Sequence, residues 1–92
     1  MRGSIHVDAG AAKALADGRS LLAAGATIVT GRFARGDVIA IEGPDGVIAR
    51  GLAEYDAAEM SRLLGRRSEE QESLLGYAPR SALVHRNHMA LV

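Results

Sequence analysis

Residues 5–33, IHVDAGAAKALADGRSLLAAGATIVTGRF, decide how the chain is read. Ser4 to Val7 alternates weakly and ends in a β-branched residue, the pattern of a short strand. Asp8 then suits the N-cap of a helix over 9–16. Its carboxylate can accept from free backbone N–H groups at the positive end of the helix dipole. The helix is nearly all Ala with one Leu15, so it can lie very close to a sheet. Gly18 fits the C′ position that ends it. Arg19 to Gly25 is too short for a full helix and reads as a turn or single helical turn. Ala26 to Arg32 follows as a second strand centred on Ile28 and Val29.

Outward from this stretch the pattern continues in short pieces. Met1 to Gly3 reads as a start and lead-in. Ala34-Arg35-Gly36-Asp37 is a turn, and Val38 to Glu42 a buried strand. Gly43-Pro44-Asp45-Gly46 is the strongest hairpin signal, with Val47 to Ala53 returning. Gly51 inside that strand implies a bulge or the close approach of another backbone. Asp56 to Glu59 forms a capping box with Asp in place of Ser or Thr, and Met60, Leu63 and Leu64 recur at helical spacing before Gly65. Ser68 to Gln71 starts a second short helix ending at Leu75, and Pro79 prevents its continuation. Leu83 to Arg86 and Met89 to Val92 are apolar enough for final strands. These elements predict a mainly β chain with short helices (α+β), folded as a small mixed-strand pseudo-barrel. Residues 4–55 make its first part, 56–76 two short helices that cap it, and 77–92 the closing strands.

Bulk composition narrows the function. With 92 residues the chain is one domain and cannot hold a deep cleft between lobes. Hydrophobic residues are 48% and aromatics only 3%, so the core is aliphatic. Eleven cations balance eleven anions, which argues against a strong general polyanion binder but leaves room for a local basic face. Ten of those cations are Arg, the side chain suited to forked phosphate or carboxylate contacts. Without Cys there is no disulfide framework and no thiolate metal site. There is no signal peptide and no apolar run able to span a bilayer, so a cytoplasmic chain with no membrane partner is expected.

Several short motifs, in order, resemble a known family. They are Val7-Asp8-Ala9-Gly10-Ala11, Leu21-Leu22-Ala23-Ala24-Gly25, Gly31-Arg32-Phe33, Arg35-Gly36-Asp37-Val38 and Ala49-Arg50-Gly51-Leu52. Together they resemble a PUA domain, the small RNA-associated barrel named after pseudouridine synthases and archaeosine transglycosylases. Leu63 to Ser68, Leu74 to Tyr77 and Val84 to Asn87 narrow the resemblance to the C-terminal PUA domain of bacterial glutamate 5-kinases. That family phosphorylates the γ-carboxylate of glutamate with ATP, opening proline synthesis, and is feedback-inhibited by proline. The resemblance implies that its chemistry, with ATP and Mg, belongs to an N-terminal amino-acid-kinase domain. This chain is then a non-catalytic piece with no cofactor of its own, and the kinase domain is a partner. Its role would be accessory or regulatory. The competing reading is an RNA-binding module of an RNA-modification protein.

In RNA-bound PUA domains the first helix, the following loop and the start of the next strand face the nucleic acid. The resemblance carries that surface onto Lys13, Arg19, Ser20, Gly25, Ala26 and Arg32. Lys13 and Arg19 would supply charge to structured RNA. Gly25 would let a phosphate or base edge approach the backbone, and a positive φ there would make Gly25→Val disruptive. Lys13 is equally a solvated helix residue and Arg19 a loop residue, and aromatic side chains for stacking are scarce. Arg66-Arg67 either takes a phosphate or neutralises the carbonyl end of the helix before it.

Other chemistries lack a pattern. His85 and His88 show no convergence of ligands, so no metal site is expected. His6 alternates with Ile5 and Val7 and should point away from the core. Asp8 is explained by capping, so no catalytic residue is assigned. The glycines match neither a Walker-A nor a dinucleotide pattern, and none of Ser20, Ser61, Ser68, Ser73 and Ser81 sits in a nucleophile elbow.

Overall fold

A computed structural model describes residues 3–64 and 82–92. Five strands form one mixed sheet: β1 Gly3–Val7, β2 Ala26–Gly31, β3 Val38–Gly43, β4 Gly46–Leu52 and β5 Met89–Leu91. Their order across the sheet is β2-β1-β3-β4-β5. β1 runs parallel to β3, and every other neighbouring pair is antiparallel. The first helix, α1, spans Ala9–Ala16, and the second, α2, spans Ala57–Leu63. The expected helix over 68–75, and the pair Arg66-Arg67, lie outside the described residues.

Alternation sets the core. Ile5, Val7, Ile39, Ile41 and Ala49 all turn to one face of the sheet and are buried. Leu15 from α1 and Met60 and Leu63 from α2 meet them there, joined by Leu21, Leu83 and Val84 from the connecting segments. His6 lies on the opposite face, as its alternation predicts, 3.3 Å from Glu42 on the adjacent strand. Two bulges curve the sheet. Thr27 is the extra residue between the His6–Ile28 and Val7–Ala26 pairs, and Ile48 the extra one between Glu42–Val47 and Ile41–Ala49.

Local chemistry fixes the helix ends. Asp8 Oδ1 accepts from the Ala11 amide at 2.7 Å. At the other end the Gly18 amide donates to Leu15 O and the Arg19 amide to Ala14 O, the paired bonds of a Schellman stop. That stop needs a left-handed residue, and Gly18 supplies φ +84°. In α2 the Asp56 carboxylate accepts from the Glu59 amide at 2.8 Å, and the Glu59 carboxylate accepts from the Asp56 amide at 3.1 Å. This is the reciprocal capping box expected from the sequence. The small residues of α1 let it press against its neighbours. A Cβ on Gly43 would sit 3.5 Å from Ala12 Cβ, and one on Gly25 only 2.5 Å from Ala11 Cβ.

The sheet closes on itself through the segments leading into its two edge strands. The Leu21 amide donates to Val84 O at 3.0 Å, and the Leu83 amide to Leu21 O at 2.8 Å. The Glu54 amide also donates to Leu83 O, at 2.9 Å, tying in the end of β4. This makes the pseudo-barrel. The strand expected over Leu83–Arg86 is corrected here. Only Val84 forms a β-bridge, and Arg86–His88 makes one turn of 3-10 helix instead. The sharp path is set at His85, whose Nδ1 accepts from the Asn87 amide at 3.1 Å. Gly51 resolves to close approach, not a bulge. A Cβ there would stand 2.5 Å from Val84 Cγ1 and 3.0 Å from His88 O.

Two outcomes test these packings. Asp8→Ala should cost about 1 kcal/mol by losing the α1 cap, read as a lower midpoint in chemical denaturation with an unchanged slope. Gly51→Ala should destabilise by about 1–3 kcal/mol through overpacking, and Val84→Ala in the same chain should recover part of that loss.

Candidate nucleic-acid interface

The loop after α1 is shaped by three anchors. The Schellman bonds turn the chain out of the helix at Arg19. The Leu21–Val84 bridge then pins it to the closing segment. A single 3-10 turn over Ala23–Gly25, capped by the Gly25 amide on Leu22 O at 3.2 Å, delivers it to β2. Gly25 O accepts from the Asp8 amide at 3.0 Å, so the loop ends against the start of α1.

Between helix and loop lies a groove of about 290 Å³. Ala11 and Ala14 form its helix wall. Arg19, Ser20, Leu22, Ala24 and Gly25 form its loop wall, and buried Leu21 its floor. Leu22 is 55% exposed at the rim. The groove is therefore apolar inside with the cationic Arg19 at one end. It offers a fit for a flat or narrow apolar group and a guanidinium for an adjoining phosphate.

The six residues carried over from the resemblance separate into groups. Arg19, Ser20 and Gly25 line the groove together. Lys13 is exposed on α1 in its last turn but is not part of the groove wall; at that position its charge also complements the helix dipole. Ala26 is 4% exposed, and its amide already donates to Ala23 O, so it presents almost nothing to a ligand. Arg32 follows the far end of β2, six residues and about 20 Å from Ala26. It does not join the others.

Two of these residues have structural work of their own. Ser20 Oγ accepts from the Arg86 amide at 2.8 Å and so holds the closing segment beside the loop. Gly25 does not have a positive φ. The space a side chain would take is filled by Ala11, so the constraint is steric and not conformational. Arg86 was missed in the sequence. It lies 66 positions from Ser20, and only the closure brings its backbone amide to the loop. Asp17, exposed at the C-cap of α1, adds an opposing charge nearby. Among the described residues no three His, Asp or Glu side chains gather as a metal site would require. No helix among them is long and apolar enough to cross a membrane.

The PUA domain profile matches residues 3–75. The chain belongs to the PUA domain family. A PUA domain from Aeropyrum pernix K1, solved as a tartrate complex, superposes with a TM-score of 0.71 at 31% identity, over 96% of this chain and 43% of that one. An H/ACA RNP bound to a substrate RNA containing 2'-deoxyuridine superposes with a TM-score of 0.59 at 27% identity, over 63% of this chain and 19% of that one. In sequence this PUA domain is 69% identical, over its whole length, to the glutamate 5-kinase of Novosphingobium aromaticivorans. The match falls in the C-terminal region of such kinases. The chain spans 25% of the length of that curated relative.

The steric account of Gly25 gives a direct check. Gly25→Ala should lower the melting temperature, and Ala11→Gly should be less harmful in that background than alone, because the two methyl positions compete for one space. Additive losses would contradict the contact.

Proposed function

We propose that this PUA domain is the C-terminal accessory domain of a glutamate 5-kinase chain and has no turnover of its own. The supporting observation is identity across the whole domain, 69% to one such kinase, in a chain that covers a quarter of that protein. In this reading the missing portion phosphorylates glutamate with ATP and Mg in the cytoplasm, as the first step of proline synthesis. The PUA domain acts on it by contact and tunes its response to proline. Deleting the PUA domain from the full-length enzyme should leave glutamate phosphorylation in place and change the proline concentration that halves it. Loss of all phosphorylation in a deletion that still folds would overturn the accessory role.

A second reading has its own support. The groove gathers Arg19, Ser20 and Gly25, three of the residues that the resemblance assigns to an RNA-facing surface, and one structural neighbour is an H/ACA RNP bound to a substrate RNA. In this reading the groove takes an unpaired or flipped base while Arg19 and Lys13 hold flanking phosphates. A titration with transfer RNA at two salt concentrations tests it. Micromolar binding that weakens with salt is expected. Lys13→Ala with Arg19→Ala should flatten the salt slope by about 2, and Arg32→Ala should leave affinity unchanged because it stands at the far end of β2. No binding at low salt would remove RNA from the account and leave the kinase-accessory role intact.

A further inference from the structure

We propose that the outer face of β3 and β4, around Val38 and Leu52, is the surface on which the PUA domain docks against the preceding portion of its kinase chain. This rests on the accessory-domain reading and names the face it uses.

The argument begins with register. Ile39, Ile41, Ala49 and Gly51 turn inward and are buried, so Val38, Ala40, Arg50 and Leu52 turn outward. Val38 pairs directly with Leu52. Both large aliphatic side chains are exposed, Val38 by 45% and Leu52 by 36%. Side by side they form a continuous apolar spot, unlike scattered single exposures such as Ile28. Arg50 stands one row away on the same face, between Ala40 and Ala90, and makes no ion pair among the described residues. A shallow depression of about 390 Å³ adjoins the spot, lined by Val38, Arg50, Leu52, Asn87, His88 and Ala90 among others.

The position of this spot chooses its occupant. β1 pairs in parallel with β3, Ser4 opposite Ala40. Val38, two residues before Ala40, therefore lies at the end of the sheet from which β1 sets out. It is one strand, or about 5 Å, to the side of β1, and Leu52 is one strand further. In the kinase relatives the matched region is C-terminal, and three quarters of the chain precedes it. That portion enters the domain beside Val38 and Leu52. The groove beside α1 lies past the other end of β1, where Gly25 O meets the Asp8 amide, so the covalent connection at the start of β1 favours this face over the groove. Interfaces between domains of one chain cover about 600–1,500 Å² and mix apolar and polar contacts. The complement expected is an apolar patch on the kinase portion flanked by a carboxylate that meets Arg50.

Thiol footprinting in the full-length kinase tests this. The PUA domain has no Cys, so Val38→Cys, Leu52→Cys and, as a control on the hairpin, Val47→Cys each add one reporter to it. Labelling at 38 and 52 should be at least about tenfold slower in the full-length enzyme than in the 92-residue chain, with position 47 labelled equally in both. Equal labelling at 38 and 52, in a full-length protein that phosphorylates glutamate, overturns the docking face while leaving the accessory role standing. A full-length protein without that activity overturns the accessory reading whatever the labelling. Protection at 52 that also appears in the 92-residue chain, and grows with its concentration, gives the face to a second copy and overturns the proposal.

Discussion

Two backbone hydrogen bonds at Leu21, one to Val84 and one from Leu83, decide the rest of this structure. Without them the five strands are an open sheet with β2 and β5 as free edges. With them the segments entering those edges are joined, and Leu21, Leu83 and Val84 complete an aliphatic core that has few aromatic side chains to fill it. The closure is tight enough to demand glycine at position 51. It is also long-range, spanning more than sixty positions, so its loop-closure entropy must be met by the apolar burial it brings.

The same closure builds the candidate interface. The loop over 19–25 is held at its start by the helix stop, in its middle by the bridge, and at its end by Asp8 and Ala11. A groove fixed at three points is preorganised, so a ligand would pay little ordering entropy on entering it. Its chemistry is apolar with one guanidinium, which suits a base and its phosphate better than a run of phosphates. That agrees with a chain of balanced charge. The docking face is elsewhere, on the outer side of β3 and β4, so the two surfaces do not compete.

Much of this was legible in the sequence, wherever the cause was local. Asp8, Gly18, the Asp56–Glu59 box and the Gly43–Gly46 turn each announce an element because the interaction spans six residues or fewer. The resemblance to PUA domains supplied topology that periodicity could not. What stayed hidden was long-range. Val84 reads as part of a strand because it is apolar and β-branched, yet it forms one bridge before His85 turns the chain. Arg32 reads as a neighbour of Ala26 in sequence, but an extended strand carries it to the other end of the sheet. Gly25 was legible as a constrained residue, though its constraint comes from Ala11, a contact that neither residue's type reveals.

Native-state hydrogen exchange at the Leu21 and Leu83 amides tests the central claim most directly. If closure through these two bonds holds the pseudo-barrel together, both amides exchange only with global unfolding, at the same free energy as Ile5 and Ile41 in the middle of the sheet. If Leu21 and Leu83 exchange through a lower-energy opening while Ile5 and Ile41 stay protected, the sheet is stable without its closure and the account is contradicted.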